Sequence, residues 1–188
     1  MDVLKLFKET GALLEGHFVL SSGLHSGEYL QCALLLQHPE HAERLCRELA
    51  KKFLNKKIDI VIAPALGGVL VSYELARALG VRSLFTERKD GKMQLRRNFK
   101  IEKGANVLVC EDVVTTGSST REVIDIVKAN GANVAGVACI IDRSGKENLF
   151  KDIMLYSLAK ADIKTYTDKQ CPLCKSGLSI TKPGSKQA

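Results

Sequence analysis

Residues 107–120 read VLVCEDVVTTGSST: an apolar run, adjacent carboxylates at Glu111 and Asp112, the valines Val113 and Val114, then six small residues, five of them hydroxylic. The run has the character of a buried strand, and the small residues lead into a helical pattern. A helix start exposes unpaired N–H groups at the positive end of the helix dipole, which suits a phosphate. Gly117 lets the backbone approach a ligand closely or take positive φ. The hydroxyls of Thr115, Thr116, Ser118, Ser119 and Thr120 add donors. Glu111 and Asp112 would repel a phosphate and instead suit sugar hydroxyls or a hydrated magnesium ion. The stretch therefore asks for a phosphate beside a ribose diol. A plain helix cap next to two solvated acids is the competing reading. Neither GxxxxGK[ST] nor GxGxxG occurs in the chain, so the P-loop and dinucleotide fingerprints do not apply.

Such a strand end needs neighbours to position it. IDIVIAPALGG (residues 58–68) reads as a buried strand and a turn holding Pro64, Gly67 and Gly68, followed by a helix that stops at Gly80. VRSLFTER (81–88) reads as a second strand, and the cationic stretch KDGKMQLRRNFKIEKGA (89–105) as a long connection. NVLVCEDVV (106–114) is the third strand. SSTREVIDIVKANG (118–131) is an amphipathic helix with Val123, Ile126 and Val127 on one face and Gly131 as its stop. ANVAGVACIIDR (132–143) and DIMLYSLAK (152–160) complete the strands. Short apolar strands alternating with helices predict an α/β fold: an open, doubly wound, mainly parallel sheet of about five strands flanked by helices. Residues 1–55 are expected to form a small N-terminal cap of a helix, a Gly- and Ser-containing stretch and another helix. Residues 56–165 would form the core and residues 166–188 a loose tail, all within one domain. Ligands bind beyond the carboxyl ends of such strands. PALGG, ERKDGK, EDVVTTGSST and DRSG all fall there. Four polar strand ends converging on one edge point to a single site.

The 188-residue chain is long enough to bury a core without staples, about 70% of its unfolded surface. Its net charge of +7 favours an anionic partner, RNA, DNA or a polyanionic small molecule, unless the lysines merely solvate the surface. The absence of Trp argues against an aromatic stacking platform for nucleic acid. No apolar run reaches the roughly 20 residues of a membrane span, and the first residues lack a secretory pattern. Cys32, Cys46, Cys110 and Cys139 sit in apolar or helical contexts and are expected to be buried free thiols, consistent with the cytoplasm. Cys171 and Cys174 form a lone CxxC with no second pair visible. Zinc shared between two subunits, a disulfide, or free thiols anchoring the tail remain open for it. His17, His25, His38 and His41 are scattered through the cap, where surface or capping roles or, for His25, a substrate contact are the readings.

The strand, the paired acids and the Thr-x-Gly-Ser-Ser turn resemble the phosphoribosyl diphosphate motif of type I phosphoribosyltransferases. Residues 12–39, APALGG, ERKDGKMQLRRNF, DRSG and the C-terminal CPLCKSGLSITKPGS are similar to orotate phosphoribosyltransferases, so the resemblance spans nearly the whole chain. It implies a donor site at Glu111, Asp112, Val113, Val114, Thr115, Thr116, Gly117, Ser118 and Ser119. The acids would hold the ribose hydroxyls and the turn the 5′-phosphate. It implies a diphosphate loop at Ala65, Leu66, Gly67 and Gly68, and a mobile basic loop whose Arg88, Lys89 and Lys92 meet the diphosphate. An ordinary solvated loop is the other reading of those lysines. Arg143, with Thr115, would bind orotate, and Lys92 and Asp112 would be catalytic. The chain departs from the enterobacterial pattern at Ser21, Tyr29, Leu30, Ala65, Leu66 and Gln94; Arg96 and Arg97 are candidates to replace missing cations.

The reaction implied is transfer of a 5-phosphoribosyl group from phosphoribosyl diphosphate to orotate, giving orotidine 5′-phosphate and diphosphate for UMP synthesis. It uses Mg²⁺ as cofactor and no metal held by protein ligands. Charge placement and positioning would do the catalysis through an oxocarbenium-like state, without a protein nucleophile. The family's loop, shared across the subunit interface, implies a homodimer; the cysteine usage points to the cytoplasm, and neither membrane nor nucleic acid is an expected partner. A phosphoribosyltransferase for another base, or a non-catalytic nucleic-acid-binding regulator on the same fold, is the alternative.

Overall fold

Ile60–Pro64 is buried at every position, as a strand covered on both faces must be. The computed structural model describes residues 1–20 and 22–183; Ser21 and the end of the tail lie outside the described residues. In chain order the elements are α1 (Val3–Glu9), β1 (Leu13–Val19), β2 (His25–Leu30), α2 (Cys32–Leu36), α3 (Pro39–Ala50), β3 (Ile60–Pro64), α4 (Gly67–Leu79), β4 (Arg82–Lys89) and β5 (Lys92–Leu95). There follow β6 (Asn106–Val114), α5 (Ser118–Ala129), β7 (Asn133–Asp142), β8 (Leu155–Lys160), β9 (Thr165–Tyr166) and α6 (Pro172–Lys175). They fall into two compact units: Leu36–Lys160, and Met1–Leu35 with the segment from Ala161.

The larger unit holds a six-stranded sheet in the order β5-β4-β3-β6-β7-β8. All neighbours are parallel except β4 and β5. The chain steps from β3 to β4 in one direction and from β6 to β7 in the other. Right-handed crossovers therefore place α4 and α5 on opposite faces, and α3 packs beside α4. The core joins Ile60, Ile62, Val107, Val109, Val137 and Cys139 of the sheet to Val123, Ile124 and Val127 of α5. Ile124 takes the buried place expected of Ile126, which is only half-buried. Cys32, Cys46, Cys110 and Cys139 are buried free thiols, as expected. Burial pushes the Cys46 thiol up to about 12, so it is inert.

Three expectations about the architecture change. The sheet has six strands rather than about five, because Lys92–Leu95 folds back on β4 instead of forming an open connection. The Lys89↔Lys92 pairing leaves a two-residue turn, Asp90-Gly91, with φ of 52° and 75°. Both residues at positive φ make the hairpin turn that Asp-Gly favours. The cap, read as a helix, a Gly- and Ser-containing stretch and another helix, keeps helices but folds that stretch into β1 and β2, which join β9 in a three-stranded sheet in the order β1-β2-β9. The tail is tied to it: Thr181 N–H donates to the His17 carbonyl at 2.8 Å, and Val19 N–H to the Thr181 carbonyl at 3.0 Å. Among the described residues no helix is long and apolar enough to cross a membrane.

Candidate active site

The winding of the sheet reverses between β3 and β6, the place where an open α/β sheet leaves a crevice for ligands. Register brings the strand ends level: Ile62 pairs with Val109, Pro64 with Thr86, and Val114 with Asp142. Ala65–Gly68, Glu111–Ser119 and Arg143 thus come to one edge of one unit, while the hairpin at Arg88–Lys92 lies along α5, with Arg88 on Glu122 and Lys92 in a shallow groove with Asp125 and Ile126.

Asp112 is held by its own backbone, its Oδ1 accepting the Val113 N–H at 2.8 Å. Its carboxylate lies against the first residue of α4: a Cβ built on Gly67 would stand 2.7 Å from Oδ2. Gly67 is therefore there to admit the Asp112 carboxylate, a role no local pattern announced. A Cβ on Gly68 would stand 2.7 Å from the Ala63 Cβ, so this glycine lets α4 pack on β3. Both glycines belong to the helix; the loop before it is Ala65 and Leu66, joined by a cis peptide, with the Leu66 side chain exposed. Glu111, equally half-buried, is engaged from α5. Thr120 Oγ1 donates to its Oε2 at 2.7 Å. Burial pushes the Glu111 carboxyl up to about 7; the Thr120 hydrogen bond opposes that rise, and the Asp112 charge adds to it. Thr120, read as a further phosphate donor, is instead buried and engaged with Glu111.

Thr115 to Ser119 form the turn into α5, with Thr115, Thr116 and Ser118 exposed. Gly117 is the N-cap at φ 71°, a left-handed conformation that costs other residues roughly 1–2 kcal/mol. A Cβ there would also stand 2.8 Å from the Phe150 ring. Arg121 braces the turn by donating to the Thr116 carbonyl at 2.7 Å and the Leu149 carbonyl at 2.9 Å, its guanidinium 5.4 Å from the Phe150 ring centre. Sequence reading missed Arg121; an arginine just inside a phosphate-type turn was the available signal.

The basic hairpin is divided in its roles. Arg88 donates to Glu122 of α5 at 3.0 Å and to the Gly91 carbonyl at 2.8 Å. Arg97 grips Glu87 with two bonds of 2.8 Å, and Arg96 lies 3.8 Å from the same carboxylate. These three cations already have acidic partners, which weakens the reading of Arg96 and Arg97 as replacements. Lys89 and Lys92 are exposed, face each other across the turn, and form no ion pair among the described residues. Like charges directly opposed in a hairpin are unfavourable, so a polyanion arriving between them relieves repulsion.

Arg143 follows β7 directly, and its N–H donates to the Val114 carbonyl at 2.8 Å. This hydrogen bond places it beside Thr115. Asp142 is turned to its own loop, its Oδ1 accepting the Ser144 N–H at 2.8 Å.

Comparison with known proteins agrees with this geometry. Residues 34–164 match the phosphoribosyl transferase domain family. The chain is 53% identical over 187 residues to orotate phosphoribosyltransferase of Desulforamulus reducens, covering 99% of this chain and 97% of that one. It is 55% identical over 185 residues to the enzyme of the same name from Caldicellulosiruptor bescii, covering 98% and 96%. Among solved structures, Aeropyrum pernix orotate phosphoribosyltransferase superimposes with a TM-score of 0.67 at 30% identity, covering 84% of this chain and 93% of that one. With its crevice, its acid pair and its hydroxyl-rich turn, the chain belongs to the phosphoribosyl transferase family and, within it, to the orotate phosphoribosyltransferases.

Proposed function

We propose that the chain joins orotate to the 5-phosphoribosyl group of phosphoribosyl diphosphate, forming orotidine 5′-phosphate and diphosphate for pyrimidine nucleotide synthesis. The observation that carries this reading is Arg143 lying beside the Glu111–Ser119 strand end, tied to it by the bond to Val114. A residue whose fork can grip a carboxylate then follows the strand beside a turn able to hold a phosphate. In the reaction the orotate ring nitrogen bonds to C1′ and its proton passes to the departing diphosphate, while the C1′–oxygen bond breaks and its electron pair leaves with that diphosphate. Positive charge grows on the ribose. Asp112 lies where it favours that charge, and Glu111 is an acceptor for the ribose hydroxyls. The turn at Thr115–Ser119 holds the 5′-phosphate, while Lys89 and Lys92 meet the leaving diphosphate. Positioning and fixed charge supply the rate, with no protein nucleophile.

Mg²⁺ fits this site as a companion of the donor's phosphates. Among the described residues no set of three acidic ligands forms a cage here, and Mg²⁺ commonly takes one or two carboxylates plus substrate phosphates. Glu111 and Asp112 are the carboxylates in reach of such an ion, which when bound adds positive charge at the diphosphate. The exposed apolar stripe of Leu66, Leu70 and Tyr73 (78%, 49% and 62% exposed) supports a homodimer through α4. The buried free thiols support a cytoplasmic setting.

The test is orotate absorbance in the presence of magnesium and phosphoribosyl diphosphate, with uracil and hypoxanthine in parallel. Consumption of orotate alone is expected. Consumption of another base, or of none despite donor binding, refutes the assignment.

Glu111 gives a pH prediction. Its folded pKa of about 7 lies above the ordinary 4.5, so between these values the folded chain keeps a proton the unfolded chain has lost. This group's contribution to stability therefore falls as pH rises across that window. Ribose hydroxyls need an ionised acceptor, so donor affinity is expected to rise as pH passes upward through about 7, with proton release on binding. Calorimetry in two buffers of different ionisation enthalpy measures this. Binding at pH 6.5 with no proton release would count against the role of Glu111.

A further inference from the structure

The smaller unit contains a cluster that the reaction does not use. We propose that His17, His25, Cys171 and Cys174 hold one structural zinc ion. Their ligating atoms all lie within 4.8 Å of one another. His17 Nε2 is 2.9 Å from His25 Nδ1, 3.5 Å from Cys171 Sγ and 3.6 Å from Cys174 Sγ. Cys174 Sγ is 3.2 Å from His25 Nδ1. Tetrahedral bonds of the usual zinc lengths require about 3.6 Å between sulfur and nitrogen ligands and about 3.3 Å between two nitrogens. The observed spacings fall within half an ångström of those values, so the ligands need little movement to close on an ion.

The surroundings prepare the donors. His17 Nδ1 lies 2.8 Å from the Leu178 carbonyl. A carbonyl only accepts, so Nδ1 carries the proton and Nε2 presents its lone pair to the cluster. That arrangement is the outer hydrogen bond that orients a metal-bound imidazole. The β1–β2 register shifts between Glu15 and Phe18, around His17. Bulges of this kind re-aim a side chain, and here the consecutive His17 and Phe18 are both buried. Cys171 is fully buried and both histidines nearly so. Two thiolates neutralise one Zn²⁺, which makes the group tolerable in such an enclosed place. Two sulfurs and two nitrogens select zinc over harder cations. Asp168 Oδ1, 3.7 Å from Cys174 Sγ, is the nearby acid and stands outside the four.

Four protein ligands leave no open position, so the site is structural and not catalytic. It clamps the β1–β2 hairpin to the C-terminal segment, joining residues 154 apart in sequence. The lone CxxC thus finds its second pair within the same chain, on a hairpin near the other end.

The experiment uses the untagged full-length chain purified without chelator. Elemental analysis is expected to find about one zinc per chain, and replacement by cobalt(II) to give the intense visible bands of a tetrahedral thiolate site. Zinc removal is expected to lower Tm by ~10 °C without changing the oligomeric state. Zinc is expected to be lost in Cys174→Ser and His25→Ala and kept in the control His41→Ala. Should the variants fail to fold, stoichiometric release of zinc from the native protein on mercurial titration of its thiols provides the same evidence. A metal-free protein with Cys171 and Cys174 joined as a disulfide, iron in place of zinc, or half a zinc per chain with dissociation on chelation would each overturn the proposal.

Discussion

Arg143→Ala is expected to lower kcat/KM for orotate about 10²- to 10⁴-fold while leaving donor affinity nearly unchanged. A guanidinium fork makes two parallel bonds to a carboxylate, each about 1.5–3 kcal/mol when charged. Alanine removes both. The backbone bond from residue 143 to the Val114 carbonyl survives the substitution, so the strand end keeps its place and the donor site should stay intact. Arg143→Lys should fall between the two, because an ammonium offers a point charge and no fork. Steady-state kinetics with each substrate varied in turn separates the effects. A wild-type kcat/KM for orotate in the alanine variant would remove Arg143 from substrate recognition. An equal loss toward both substrates, with a lowered Tm, would assign it a structural role.

The second large effect is expected at a residue with no chemistry of its own. Gly67→Ala should lower kcat about 10- to 100-fold, the loss of one charge-assisted contact, with little change in stability. The new Cβ would stand 2.7 Å from Asp112 Oδ2 and 2.9 Å from its Cγ, closer than such atoms approach. The carboxylate is short and already fastened by the Val113 N–H, so it must turn away. Alanine meanwhile suits a helix better than glycine by about 1 kcal/mol, which offsets part of the clash. Asp112→Asn should produce a comparable defect, and the double variant should be little worse than either single one. Wild-type kcat in Gly67→Ala would show that the Asp112 position does not matter to catalysis.

Much of this was legible locally. The strand Asn106–Val114 was bounded correctly because an apolar run between a glycine-containing segment and a hydroxyl-rich turn has one sensible reading. The stop of α4 at Gly80, φ 70°, was legible for the same kind of reason: a left-handed residue ends a helix cheaply only when it is glycine. The β4–β5 hairpin was legible too but went unread. Its Asp90-Gly91 turn is a strong hairpin signal, hidden by the many charges around it.

By itself the sequence determined the strand-and-helix alternation, the chemistry of each strand end, and hence the class of ligand. These depend on periodicity and on residue types within a few positions. Only the tertiary structure decided which distant groups meet: Gly67 with the Asp112 carboxylate, Arg88 with Glu122, Thr120 with Glu111 across the turn into α5, and His17 and His25 with Cys171 and Cys174. Such meetings follow from strand order, register and a bulge. Shifting a strand by one residue exchanges its faces, so no local pattern specifies them.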